Sequence, residues 1–114
     1  MGEYFEIKIS RHAKKRMKER CGLNKKASER LAYIAYTKGL THSELCGRLK
    51  RYVDYLYFRE EKANAIRIYG NEVYIFQGNV LITVFDLPNR YLKSAQQLSR
   101  RKQDCSIQET EGGG

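Results

Sequence analysis

The chain has 114 residues, 41% of them hydrophobic, which suffices for one domain with its own core and excludes both a second domain and a wholly disordered chain. Its 22 Lys and Arg against 13 Asp and Glu leave a net charge of +9, so an anionic partner is expected, nucleic acid before acidic lipid or protein. No segment approaches the roughly 20 apolar residues of a membrane span, and the first ten residues lack the apolar run of a signal peptide; the expected location is the cytoplasm, with no membrane partner.

Tyr4 to Ile9 alternates apolar and polar side chains, the period of a half-buried strand. Ser10 can cap a helix over about Arg11–Cys21 that Gly22 ends in the left-handed conformation. Asn24 starts a second helix with Ala27, Leu31, Ile34 and Ala35 on one face and Gly39 as its stop. Thr41 and Glu44 form a capping box for a third helix, in which Leu45, Leu49, Tyr52, Val53 and Leu56 make an apolar stripe that ends near Phe58.

The period then changes. Ala65–Tyr69, Val73–Gln77 and Val80–Asp86 are β-rich runs joined by Gly70-Asn71 and Gly78-Asn79, both two-residue hairpin signals. Leu87-Pro88-Asn89 closes this antiparallel meander, and Tyr91 to about Lys102 reads as a short basic helix with Leu92, Ala95 and Leu98 turned inward. The fold class is therefore α+β: an N-terminal strand, three helices, a three-stranded meander and a short C-terminal helix. One domain is expected over residues 1–102, with an unstructured tail over 103–114.

If both Gly-Asn pairs are the corners, the register follows. Arg67 faces Tyr74, Ile66 faces Ile75 and Ile68 faces Val73. Across the second corner Tyr74 faces Thr83, Ile75 faces Ile82 and Val73 faces Val84. One sheet face is then aliphatic and covered by helices, and the other, solvated face carries Arg67, Tyr74 and Thr83 in a row beside Tyr69, Phe76, Leu81 and Phe85. A guanidinium fork suits phosphate oxygens, a phenol and an alcohol can donate or carry a proton, and aromatic rings can stack bases. The plainer alternative is an ordinary cross-strand Arg–Tyr pair, with Thr83 present for its β-propensity.

Residues Lys8 to Arg30 hold ten of the basic residues against Glu19 and Glu29, so most of the net charge sits in the first helix and the start of the second. A solvated helix face is the simpler account of such a run. Within it His12, Arg16 and Arg20 fall on one helical ridge beside the apolar Ala13, Met17 and Cys21. His12 is either a proton carrier with an Arg one turn away or a partly exposed histidine of the capping turn. Cys21, Cys46 and Cys105 form no C-x-x-C pair and read as reduced thiols, two of them half-buried on helices. With only His12 and His42 as further soft ligands, no metal and no cofactor are expected.

The order strand, helices, meander, together with Ser10-Arg11-His12-Ala13-Lys14-Lys15-Arg16-Met17-Lys18-Glu19-Arg20 and the strand Ile82-Thr83-Val84, resembles the RelE/ParE-type toxins. These belong to the group of metal-independent ribonucleases that includes barnase, EndoU and colicin-type nucleases. The His-Ala-x-x-Arg-Met segment is similar to domains of that group associated with phages and mobile elements. The resemblance spans about Phe5 to Leu87, although the helices between Asn24 and Phe58 are longer than in minimal RelE-like toxins and no position matches their catalytic lysine.

The resemblance implies a toxin-like endoribonuclease that acts on RNA, free or on the ribosome, and leaves a 2′,3′-cyclic phosphate. His12, Arg16, Arg67, Tyr74 and Thr83 would be its catalytic residues, with His12 or Tyr74 as base. Arg11, Lys15, Arg20, Tyr69 and Phe76 would bind the nucleic acid. An antitoxin-type protein partner would cover the basic groove with an acidic or apolar segment.

Two other readings remain open on sequence. Ala35, Gly39 and Leu45 fit the spacing of a helix-turn-helix DNA binder with Thr41, His42, Ser43 and Arg48 on the recognition helix. Alternatively, a phage-encoded inhibitor would bind a host protein through the basic patch without catalysis.

Overall fold

The computed structural model describes residues 7–22, 24–61 and 63–113, and for residues 20, 21 and 103–113 the backbone alone. The N-terminal strand is β1, Lys8–Ile9; residues 4–6 of the expected strand lie outside the described residues. Helix α1, Arg11–Cys21, is capped as expected: the Ser10 hydroxyl accepts from the Ala13 amide at 3.1 Å, and Gly22 takes φ 66°. Asn24 likewise caps α2, Lys25–Lys38, by accepting from Ala27 at 2.8 Å. Its fully buried residues are Ser28, Ala32 and Ala35, so the inward face is rotated from the expected Ala27–Leu31–Ile34–Ala35 stripe. Small side chains there let the helix approach the sheet closely while Tyr33 and Tyr36 pack at its flanks.

The Thr41–Glu44 capping box forms, but it closes a separate 3₁₀ turn, His42–Glu44, and not the third helix. Leu45 and Cys46 are extended, Gly47 takes φ 62°, and α3 then runs Gly47–Arg59. A left-handed residue cannot sit within a continuous helix, which separates the two pieces. Leu45 is nonetheless buried with Leu49, Val53 and Leu56.

The strands β2 (Ala65–Tyr69), β3 (Glu72–Gln77) and β4 (Val80–Asp86) are the expected meander. They form a mixed four-stranded sheet in the order β1-β4-β3-β2, because β1 joins parallel to β4 through Lys8–Val80 and Ile9–Leu81. The last helix, α4, runs Asn89–Gly113, beyond the expected end at Lys102 and through most of the segment expected to be unstructured. No proline or glycine interrupts it before Gly112.

Helices cover both faces of the sheet. On one, Ala13 and Met17 of α1 and Ala32 and Ala35 of α2 pack on Ala65, Tyr74, Phe76, Leu81 and Val84. On the other, Leu49, Val53 and Leu56 of α3 and Ala95 of α4 pack on Ile66, Ile68, Val73 and Ile75, with Ile82 and Phe85 at the margin. This corrects the expectation of one solvated sheet face. Four consecutive buried residues of β3, Val73 to Phe76, mark a central strand covered on both sides.

The first hairpin keeps the expected register, Arg67 opposite Tyr74 and Ile66 opposite Ile75. The second keeps its corner, Gln77 opposite Val80, yet slips by one residue at a bulge, so that Thr83 faces Ile75, Val84 faces Tyr74 and Phe85 faces Val73. The row Arg67–Tyr74–Thr83 therefore does not exist. The cause is visible in the cores: Leu81 and Val84, three residues apart, both belong to the α1–α2 face, which strict alternation forbids and one inserted residue permits.

Candidate functional site

β1 pairs with only the first two residues of β4, after which the chain turns into α1. From Ile82 onward the outer edge of β4 has no strand neighbour among the described residues, and α1 crosses it instead. The Ser10 hydroxyl donates to the Ile82 carbonyl at 2.8 Å, and Arg16 Nε donates to the Val84 carbonyl at 3.2 Å. The bulge thus lies where the start of α1 is tied down, and it turns Ile82, Thr83 and Phe85 toward a groove between α1 and the end of α3.

That groove, about 430 Å³, is lined by His12 and Arg16 from α1, Thr83 and its neighbours Ile82 and Phe85 from β4, and Arg59 and Glu60 at the end of α3. The Arg16 Nε bond to β4 fixes the guanidinium plane, and among the described residues its terminal nitrogens have no hydrogen-bond partner, so they can meet an anion. Arg59 Nε lies 3.5 Å from Glu60 Oε2. A hydrogen bond donated to the Tyr55 hydroxyl oxygen and then the Glu60 carboxylate raise the Arg59 pKa further, so it is a permanent cation. The site therefore presents two cations, an imidazole, a carboxylate and a hydroxyl to one solvent-filled space.

Three of the five expected catalytic residues, His12, Arg16 and Thr83, come together here, and two do not. Tyr74 is 1% exposed beneath α1 and α2, with its hydroxyl donating to Glu72 at 3.3 Å. Arg67 lies on β2, separated from β4 by β3; its Nε donates to the Tyr36 carbonyl at 2.9 Å, and its guanidinium stands 4.8 Å from the centre of the Tyr36 ring. Phe76 is fully buried edge-on against Tyr36 at 5.0 Å and Tyr69 is half-buried beside the same core, so Phe76 offers no stacking surface. Arg11 and Lys15 are exposed on α1; the Arg20 side chain lies outside the described residues.

Arg59 and Glu60 were not among the expected site residues. Their only sequence signal is a charged pair directly after the apolar stripe of α3, whose packing across the sheet carries its last turn to the edge of β4. The residues of the helix-turn-helix reading are divided: Thr41, His42 and Ser43 lie on the 3₁₀ turn and Arg48 on α3, with the His42 imidazole engaged by the Asp54 carboxylate. Cys46 is exposed and free. Among the described residues no three His, Cys, Asp or Glu side chains cluster as metal ligands, and no helix is long and apolar enough to cross a membrane.

No protein-family model, no curated protein sequence and no solved structure matches the chain.

Proposed function

We propose that this protein is an RNA-binding, metal-independent endoribonuclease of the toxin-like kind, acting at the groove beside β4. The supporting observation is that three separate elements bring His12, Arg16, Thr83, Arg59 and Glu60 to one groove. These are the groups that transesterification of RNA requires. Burial removes Tyr74 from contact with substrate, which leaves His12 and Glu60 as the proton carriers.

In this reading the Glu60 carboxylate takes the proton of the ribose 2′-hydroxyl, and the 2′-oxygen attacks the adjacent phosphorus. The bond from phosphorus to the 5′-oxygen breaks, and the His12 imidazolium returns a proton to that oxygen. Arg16 and Arg59 stabilise the charge that builds on the non-bridging oxygens, and Thr83 positions the phosphate. The products are a 2′,3′-cyclic phosphate and a free 5′-hydroxyl. In a cytoplasmic setting an antitoxin-type protein with an acidic segment would cover the same groove.

The test is to incubate the purified protein with total RNA in the presence of EDTA. Cleavage is expected to persist in chelator, to follow a bell-shaped pH dependence, and to fall by about 10²–10⁴-fold in His12→Ala and in Glu60→Gln. Intact RNA under these conditions, or cleavage that both variants retain, would refute the reading.

A further inference from the structure

A second groove, of about 550 Å³, lies between α3 and α4 and is lined by Arg48, Arg51, Tyr52, Tyr55, Arg90 and Tyr91. Its composition is three guanidinium groups and three phenol rings with no carboxylate. Tyr52 and Tyr91 are already stacked at 4.7 Å with 28° between their planes, and the Arg90 guanidinium stands 5.4 Å from the Tyr91 ring centre. The groove therefore combines a stacked pair of rings with three guanidinium groups.

The outer surface of α3 continues from this groove to the one beside β4. Arg51, Tyr55 and Arg59 follow at i, i+4 and i+8 along one ridge, a rise of about 12 Å, and Arg59 itself lines the proposed catalytic groove. Phe58 stands next to that ridge. Tyr55 at 54% and Phe58 at 84% are the large hydrophobic residues left exposed among the described residues, and both lie on this surface. Neither belongs to the packed clusters on the two faces of the sheet.

We infer that the α3 surface from Arg48 to Arg59, together with Arg90 and Tyr91, is a binding track for single-stranded RNA that leads into the groove beside β4. The inference rests on the RNA reading above and adds the nature of the bound strand. A polyanion with unpaired, planar bases matches alternating guanidinium and aromatic groups, since phosphates neutralise the cations while bases stack on the exposed rings. A duplex, whose bases are already stacked, could use only the cations. The track therefore selects for single strands, and it extends the contact a few nucleotides beyond the cleaved bond.

The test is fluorescence anisotropy with a labelled 12-nucleotide 2′-O-methyl RNA, which binds without being cleaved, against a 12-base-pair duplex of the same sequence. Wild-type protein is expected to prefer the single strand. The double variant Arg51→Ala/Tyr55→Ala should weaken single-strand binding by at least tenfold and lower its salt dependence, leaving duplex binding less affected. Lys50→Ala removes one charge from the opposite flank of α3 and serves as the control, with less than a threefold effect expected.

Both altered positions are exposed, and a circular dichroism melt of each variant checks that it folds. Single-strand affinity unchanged in the double variant would overturn the track even if RNA is cleaved elsewhere. An equal loss for duplex and single strand would reduce it to a general basic patch and also overturn it. Displacement of the RNA by poly-glutamate at equal charge concentration would show an acidic peptide to be the better occupant and would overturn the assignment to RNA. Binding that depends on Arg51 and Tyr55 without cleavage of natural RNA would support the track and refute the nuclease reading alone.

Discussion

The two edges of the sheet are finished in different ways. Along β2 the edge is closed: the Leu40 amide donates to the Ile68 carbonyl at 2.8 Å, the Ile68 amide returns a bond to Leu40 at 3.2 Å, and the Tyr57 hydroxyl accepts from the Ile66 amide at 2.9 Å. Arg67 belongs to this closure, holding the end of α2 through the Tyr36 carbonyl. Along β4 the edge beyond β1 is closed, among the described residues, at single carbonyls by Ser10 and Arg16, and a groove opens beside it. An arginine whose charge is spent inside the fold and one that lines an open groove have different uses. Position along the sheet edge, more than residue type, separates structural from candidate functional cations here.

The most severe way to disturb this contrast is to delete Ile82. Removing the bulge residue makes the β3–β4 ladder regular and leaves Leu81 and Val84 two residues apart on the α1–α2 face, but it takes away the half-buried Ile82 side chain and the carbonyl that accepts from the Ser10 hydroxyl at the start of α1. Denaturant unfolding should show a loss of about 3 kcal/mol, the sum expected for a half-buried aliphatic side chain and the tie from Ser10 to β4. Near wild-type stability in the deletion variant would mean that the ladder tolerates either register.

Paired substitution of the two arginines comes next. Arg67→Ala should cost about 1.5–3 kcal/mol, because it removes a charge-assisted hydrogen bond and a cation–π contact in a half-buried place. Its cleavage per folded molecule should be unchanged. Arg16→Ala should give the opposite pattern, a modest stability loss and a cleavage defect of about 10²-fold or more. If Arg67→Ala abolished cleavage in a fully folded protein, the division between the two edges would be wrong.

Much of the fold was legible in the linear pattern, because local rules decided it. Ser10, Gly22, Asn24 and the two Gly-Asn corners each act within a few residues, and the elements they bound fall where the sequence places them. The reading failed where a distant partner decided the outcome. The bulge answers to α1 and α2, which require Leu81 and Val84 on one face, and no rule local to Val80–Asp86 expresses that demand. Tyr74 and Phe76 read as solvent-facing because they alternate with aliphatic residues, yet an unbroken apolar run from Val73 to Phe76 equally describes a strand covered on both sides. Within the site, His12 and Arg16 were readable from helical spacing, whereas Arg59 and Glu60 depend on where α3 ends in space.

A smaller test sharpens the buried half of the comparison. Tyr74→Phe deletes only the hydroxyl that donates to Glu72 and should cost about 1 kcal/mol. Cleavage should not change, since that hydroxyl lies under the helices. A folded Tyr74→Phe protein with a hundredfold cleavage defect would return Tyr74 to the chemistry.

The smallest effect concerns how the closed side is tied to α4. Lys102 Nζ donates to the Gly39 carbonyl and to Glu44 Oε1, each at 2.9 Å, joining α4 to the end of α2 and to the 3₁₀ turn. Burial alone would raise the Glu44 pKa, but the Thr41 amide and Lys102 outweigh it and hold the carboxyl below its usual value. A depressed carboxyl contributes stability above the unfolded pKa, about 4.3, and that contribution is lost as pH falls through the lower folded value. The ion pair is about one-third exposed, so solvent screening limits it to a few tenths of a kcal/mol. Glu44→Gln keeps an acceptor for the Thr41 amide and removes the charge. Its stability should therefore lie slightly below wild type at neutral pH and converge with it in acid, whereas a gap that stayed constant down to pH 3 would show that the charge contributes nothing and the hydrogen bonds alone fasten α4.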